Sequence, residues 1–290
     1  MKYIVHLISI FHLIFYLICS YLNDLKFLFK TKYRHKKIFI AGMPMSATTY
    51  IKNMVGLIPD YKSRLMPMPF QVRNDQDISN SAFVFTPSWS YSIFKTHLRP
   101  KETNLEILKK NNINKIIVSY RDPRDVAISR YHRLIKFPKK KHESHSDIDY
   151  NNVSKNIAIN HSIRVVCKDL IPWVHGWLNI SKSKKFNIHF CKYEDLISNP
   201  KEEFKKILNF YEITLSENII DNIILKTKGK SNMVTNIIKG RFQPMALSSN
   251  FRRGGIGYWK TEFSQENLEL FNSLSGDVLE KLNYEKCNRL

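Results

Sequence analysis

The sequence predicts an α/β protein: a three-layer sandwich with a central parallel sheet, a P-loop-like strand–loop–helix, and an apolar N-terminal helix ahead of it. Three observations carry this. Ile38-Phe39-Ile40-Ala41 is a short apolar run bounded by Gly42, the pattern of a buried strand. Met54, Leu57 and Ile58 follow at helical spacing, so the strand feeds a helix. Residues 115–120 and then 187–193 repeat the theme, each an apolar strand leading toward a helix start.

In chain order, residues 3–22 are apolar without a charged residue, long enough to cross a bilayer. His6, Ser9, His12, Tyr16 and Ser20 recur every three or four residues, which also suits a helix lying in the membrane interface. Lys26, Lys30, Lys32, Arg34, Lys36 and Lys37 follow, and the positive-inside rule places what comes next in the cytoplasm. The expected organisation is an anchor over residues 1–34 and one domain over 35–290.

Between the first strand and its helix lies Gly42-Met43-Pro44-Met45-Ser46-Ala47-Thr48-Thr49. A strand entering a helix through so small a loop turns backbone N–H groups and a helix N-terminus toward one point, a phosphate site. An ordinary strand–turn–helix with a Ser/Thr cap would read the same. The spacing approaches G-x-x-x-x-G-K-[ST] without meeting it: Ala47 stands for the second Gly and Thr48 for the Lys. A P-loop NTPase needs that lysine on its β- and γ-phosphates, so this loop suits a single phosphate group.

Residues 62–89 read as irregular connection. Residues 92–97 form a short strand ending in Lys95-Thr96-His97, where open α/β sheets build their sites. The strand over 115–120 runs into Arg121-Asp122-Pro123, with Asp122 as cap and Pro123 at the first helical position. Arg121 thus sits at a strand end, either paired with a nearby Asp or clamping a phosphate. Ser129 shares a helix face with Asp122 and Asp125. Residues 136–145 are a basic loop. Residues 157–177 read as helix with a break at Pro172, 200–211 as an amphipathic helix, 217–226 as another, and 265–282 as a closing helix. Before that helix stands Phe251-Arg252-Arg253-Gly254-Gly255-Ile256-Gly257, a glycine-rich basic loop suited to wrapping a phosphate.

Forty-six Lys and Arg against 25 Asp and Glu give a net charge of +21, which favours anionic partners. The four cysteines form no C-x-x-C pair, so neither a disulfide framework nor a metal site is expected.

Over residues 36–271 the chain resembles the sulfotransferases that use 3′-phosphoadenosine-5′-phosphosulfate (PAPS). Pro44-Met45-Ser46-Ala47-Thr48-Thr49-Tyr50 is similar to the family's 5′-phosphosulfate loop, P-K-S-G-T-T-W. Lys95-Thr96-His97-Leu98 resembles its K-T-H-L segment, and residues 120–129 its 3′-phosphate motif. Residues 252–260, RRGGIGYWK, resemble its R-K-G-x-x-G-D-W-K loop. Weaker echoes are residues 172–177 and 192–196. The four motifs stand in the family's order.

The resemblance implies sulfuryl transfer from PAPS to an acceptor hydroxyl by in-line displacement. His97 would be the general base and Lys95 would stabilise charge near the sulfuryl group. Pro44, Met45, Ser46, Ala47, Thr48 and Thr49 would surround the 5′-phosphosulfate, and Tyr50 would replace the family's Trp beside adenine. Arg121, Ser129, Arg252, Arg253 and Gly254 would clamp the 3′-phosphate, with Tyr193 lining the nucleotide site. No metal is required. The acceptor would be a hydroxyl-bearing molecule, with a lipid or glycan suited to a membrane-tethered site; no nucleic acid partner is expected. Met45 departs from the family, which carries Lys or Arg there, and Tyr258 replaces the Asp of G-D-W-K. Losing that cation would remove about 3 kcal/mol of transition-state stabilisation. The competing readings are a PAPS- or PAP-binding protein without turnover and a basic glycan- or nucleic-acid-binding module.

Overall fold

The computed structural model describes residues 18–19, 22, 24–29, 31–64, 76–83, 86–136, 148–228 and 255–287. The expected anchor at residues 3–22 lies almost entirely outside them. So do most of the 136–145 loop and residues 252–254. No helix among the described residues is long and apolar enough to cross a membrane.

The sheet has five parallel strands: β1 (Lys37–Gly42), β2 (Lys62–Ser63), β3 (Ser92–Thr96), β4 (Lys115–Tyr120) and β5 (Asn187–Lys192). Their spatial order is β2-β3-β1-β4-β5. From β1 the chain crosses to the edge strand β2, comes back to lay β3 between them, then passes β1 to add β4 and β5 on the other side. β1 therefore ends between β3 and β4, at the crevice where open parallel sheets bind ligands.

Strand alternation divides the core into two layers. Ile38 and Ile40 of β1, Ile93 and Ile117 face one side. They pack with α1 (Thr48–Val55), α6 (Pro200–Phe210) and α7 (Glu217–Lys228). Phe39, Ala41, Phe94, Ile116 and Val118 face the other. There they meet α2 (Glu102–Lys110), α3 (Pro123–Lys136), α4 (Lys155–Lys182) and α9 (Gln265–Ser275). Three short helices complete the set: α5 (Tyr193–Ser198), α8 (Trp259–Glu262) and α10 (Val278–Lys281).

Several expectations are corrected. β2 lies inside the stretch read as irregular; two polar residues carry no alternation to detect. Helix α1 stops at Val55, short of Leu57 and Ile58, because Gly56 caps it and Pro59 disfavours helix at Ile58. α4 runs unbroken through Pro172. Pro172 and Lys168, whose carbonyl loses its partner, are both exposed residues, so the missing bond falls on the outer side of the helix. Trp173 and Trp177 on the opposite side hold the helix to the core. The closing helix is instead two, α9 and α10, separated by Gly276 at φ 56.

Part of the stretch ahead of residue 35 packs on the domain. Phe27 and Tyr33 are buried in the α1-side core, and Asp24 is buried against the edge of the sheet.

Candidate active site

The loop after β1 is shaped by backbone strain and two hydroxyls. Met45 and Ala47 both adopt left-handed conformations, φ 66 and 62. That conformation costs a residue with a side chain roughly 1–2 kcal/mol. Such alternation turns successive N–H groups to one side. The first helical bond is Ile51 N–H to the Ala47 carbonyl, and no side chain caps α1. The amides of residues 47–50 therefore open the helix with no partner inside it. At Gly42 a Cβ would lie 1.8 Å from Thr48 Cγ2, so the strand end must be glycine for the helix to start here.

Ser46 is placed differently from the expectation of a phosphate-binding hydroxyl. It is fully buried, and its Oγ donates to the Met43 carbonyl at 2.5 Å and lies 2.6 Å from Ser119 Oγ. Ser119 Oγ in turn donates to the Ser46 carbonyl. The pair ties the loop to the end of β4, together with Met43 N–H on the Ser119 carbonyl at 2.8 Å. Thr48 is buried under the loop, while Thr49 is exposed at the helix start. Tyr50, half-buried beside them, has its phenol pushed up by burial.

His97 follows β3 directly. Its Nδ1 lies 2.6 Å from the Gly42 carbonyl oxygen. A carbonyl only accepts, so Nδ1 carries the proton and neutral His97 has its lone pair on Nε2. Trp173 and Trp177 donate indole N–H bonds to the Leu98 carbonyl at 2.8 and 3.2 Å, fixing the backbone beside His97. This explains the weaker echo at residues 172–177, whose role the sequence did not reveal. Lys95 sits in β3 opposite Ile40 in β1, half-buried, two residues before His97.

Arg121 is the hub of the second half of the site. It is 6% exposed. Nη1 donates to Ser129 Oγ at 3.1 Å and reaches the Met45 carbonyl at 3.4 Å. Nη2 donates to the Gly255 carbonyl at 2.9 Å and lies 3.5 Å from Asp125 Oδ2. The guanidinium stacks 4.2 Å over the Tyr193 ring, and Nε is buried with no hydrogen-bond partner among the described residues. The structure thus brings Arg121, Ser129 and Tyr193 together beside the Met45 loop, as the resemblance implied.

Asp125 was read only as a neighbour of Ser129; the structure gives it a larger part. Buried in α3, it accepts from Gly257 N–H at 2.7 Å and Trp259 N–H at 3.1 Å. Burial pushes its carboxyl up, against the pull of Arg121 and the two amides. It moors the glycine loop next to Arg121. Asp122 accepts from Arg124 N–H at 2.9 Å and is bound by the Arg124 guanidinium at 2.7 Å. Arg124 stacks 3.8 Å over Trp259. Glu194 accepts from Asp122 N–H at 3.2 Å and from Tyr284 Oη at 2.7 Å, closing the brace behind the site. The sequence signal for Asp125, Asp122 and Arg124 was the motif itself; for Glu194 it was the weaker match at 192–196.

All these groups lie at the carboxyl edge of one parallel sheet: an uncapped helix N-terminus at the centre, a histidine on one flank, a stacked arginine on the other. Fold and site define an α/β protein that gathers an open helix N-terminus, a histidine and a buried arginine at one edge of its sheet. A sulfotransferase-domain model matches residues 35–283. Sulfotransferase 1E1 of Mus musculus is 27% identical over 260 residues, covering 82% of each chain. Amine sulfotransferase of Oryctolagus cuniculus is 27% identical over 277 residues, covering 87% of this chain and 85% of that one. The fold matches that of mouse sulfotransferase SULT7A1 complexed with PAP at a TM-score of 0.59 and 20% identity, over 86% of this chain and 88% of that one. The chain belongs to the sulfotransferase family and is a sulfotransferase enzyme.

Proposed function

We propose that this enzyme moves the sulfuryl group of PAPS to an acceptor hydroxyl, with His97 as general base. The observation that carries this reading is the Nδ1–H bond of His97 to the Gly42 carbonyl, at the root of the loop with the open amides. It orients Nε2 as the basic nitrogen. The acceptor oxygen attacks sulfur and passes its proton to Nε2. The bond from sulfur to the bridging oxygen breaks, and PAP leaves with that electron pair. The amides of residues 47–50 hold the 5′-phosphate, on which charge grows as the bond breaks. Lys95 stabilises the sulfuryl oxygens. Arg121 and Ser129 hold the 3′-phosphate. Arg252, Arg253 and Gly254 join from the glycine loop that Asp125 moors, and Tyr50 flanks adenine.

The uncharged stretch of residues 3–22 anchors the chain to a membrane, and its basic flank sets the domain on the cytoplasmic side.

Calorimetric titration of the full-length protein with PAP, beside the Arg121→Ala variant, tests the nucleotide half. Charge-assisted hydrogen bonds of this kind are worth about 2–3 kcal/mol, so binding should weaken about thirty- to a hundredfold. Equal affinity in the folded variant would remove Arg121 from the site. Transfer of labelled sulfate from PAPS to a phenol or alcohol tests turnover.

A further inference from the structure

The N-terminal arm keeps several apolar side chains exposed while it is pinned to one end of the sheet. The pinning is extensive. Asp24 accepts from Lys62 Nζ at 2.9 Å and is paired with Arg64. Phe27 meets the Tyr91 ring edge-on at 5.1 Å, and Tyr33 stacks on Tyr61 at 5.4 Å. Tyr91 Oη accepts from the amides of Lys32 and Tyr33 at 2.8 and 2.9 Å. Arg34 and His35 reach Glu212 at 2.6 and 3.1 Å. Tyr91 immediately precedes β3, Tyr61 and Lys62 stand at the start of β2, and Glu212 is tied to Lys115 at the start of β4. The arm therefore crosses the amino end of the sheet.

On the same arm Leu22, Leu25, Leu28 and Phe29 are exposed, Phe29 at 96%. A patch of this kind on a folded surface marks a contact site. Its neighbours in sequence decide the occupant. The uncharged residues 3–22 run straight into it, Lys26 stands within it and Lys30 and Lys32 follow it, Lys26 and Lys32 lying 3.7 and 3.1 Å from the single carboxylate of Asp60. Apolar side chains among lysines, next to a membrane-length segment, fit an anionic bilayer surface.

We propose that Leu22, Leu25, Leu28 and Phe29 rest in a bilayer surface and seat the sheet with its amino end on the membrane. This rests on the anchor reading of residues 3–22. The consequence concerns the acceptor. His97, Arg121 and the Met45 loop lie at the opposite, carboxyl end, about 20 Å away along the six residues of β1. The site opens to water, so the acceptor hydroxyl arrives on a soluble molecule or one reaching well beyond the headgroup layer.

The full-length protein is floated with vesicles of equal parts phosphatidylcholine and phosphatidylglycerol, with and without brominated acyl chains. Phe29→Trp and Tyr50→Trp place an indole at each end of the sheet, with the parent's own tryptophans as baseline. The expected result is flotation of all three proteins, emission of Phe29→Trp at least twofold lower in brominated vesicles, and no added quenching for Tyr50→Trp. Flotation without quenching at position 29 overturns the seating and leaves the anchor standing. Quenching at position 50 equal to that at 29 overturns the orientation. Failure of the parent to float removes the anchor reading and the proposal with it. Loss of quenching through self-association, seen as concentration-dependent crosslinking, would mean that a second copy covers the face.

Discussion

His97 and Gly42 are joined by a 2.6 Å bond from the ring Nδ1 to the backbone carbonyl. The bond links the strand that leads to His97, the base of the proposed reaction, to the strand that opens the loop before α1. It fixes the tautomer and couples the position of Nε2 to the loop. Gly42 can play this part because Thr48 closes over it, leaving no room for a side chain.

Replacing His97 by Asn keeps a polar side chain near Gly42 but removes the proposed base. Such a base contributes typically 10²–10⁴-fold. His97→Asn should lower kcat by about that factor while PAP affinity stays within about twofold. Steady-state rates beside calorimetry check it. A large loss of affinity with kcat intact would assign His97 to binding instead.

Met45 places a thioether against the core where relatives of the P-K-S-G-T-T-W type carry a cation. Its backbone is already left-handed, so a change of side chain leaves the loop path as it is. Met45→Lys adds a charge beside the leaving group. Up to about 3 kcal/mol of transition-state stabilisation is at stake, so kcat should rise by tenfold or more at saturating PAPS. An unchanged kcat would mean that another cation already neutralises that charge.

Asp125 holds two amides of the glycine loop with one carboxylate. Asn keeps one acceptor oxygen and turns an NH₂ toward a donor, leaving a buried amide unpaired at a cost of about 1–3 kcal/mol. Because the loop closes on the nucleotide side, Asp125→Asn should raise KM for PAPS several-fold and leave kcat nearly unchanged. A fall in kcat at unaltered KM would place Asp125 with the reacting atoms rather than with the loop.

How much of this was legible in the sequence follows from the physics of each element. β1, β3, β4 and β5 are apolar runs with clear punctuation, and they stand within a residue of where the sequence put them. Arg121 and Ser129 were placed together by motif, and the structure joins them at 3.1 Å. What escaped was whatever depends on partners distant in the chain. Ser46 reads as a ligand until its hydroxyl is seen spent on Met43 and Ser119, 73 residues on. Trp173 and Trp177 stand in the sequence only as part of a helix and a weaker family echo, yet their indoles hold the carbonyl next to His97. Pro172 reads as a break because the sequence does not show which side of the helix faces water. The packed arm over residues 24–33 reads as the basic flank of an anchor because Asp24 finds its cations, Lys62 and Arg64, on and just after a two-residue strand that has no signature.

His189 makes stability depend on pH away from the site. It lies in β5, its ring 5.4 Å from that of Phe210, with Nε2 buried and no hydrogen-bond partner for it among the described residues. Burial pushes its pKa down to about 4, and the Lys206 charge pushes the same way. In the unfolded chain an imidazole titrates near 6.5. Between these values the unfolded state holds more protons than the native state, so stability rises with pH across that window. The His189 contribution is complete above pH 6.5, falls as the pH drops toward 4, and changes no further below it. His189→Phe keeps the aromatic contact with Phe210 and removes the titration. Urea unfolding at pH 7, 5.5 and 4.5 should show the parent losing up to a few kcal/mol that the variant keeps. Parallel losses in the two proteins would mean that groups other than His189 set the acid limb; the buried Asp125 and Glu194 are not among them, since burial pushes both carboxyls up, which favours the folded state at low pH. The comparison therefore isolates His189 from the carboxylates that brace the site.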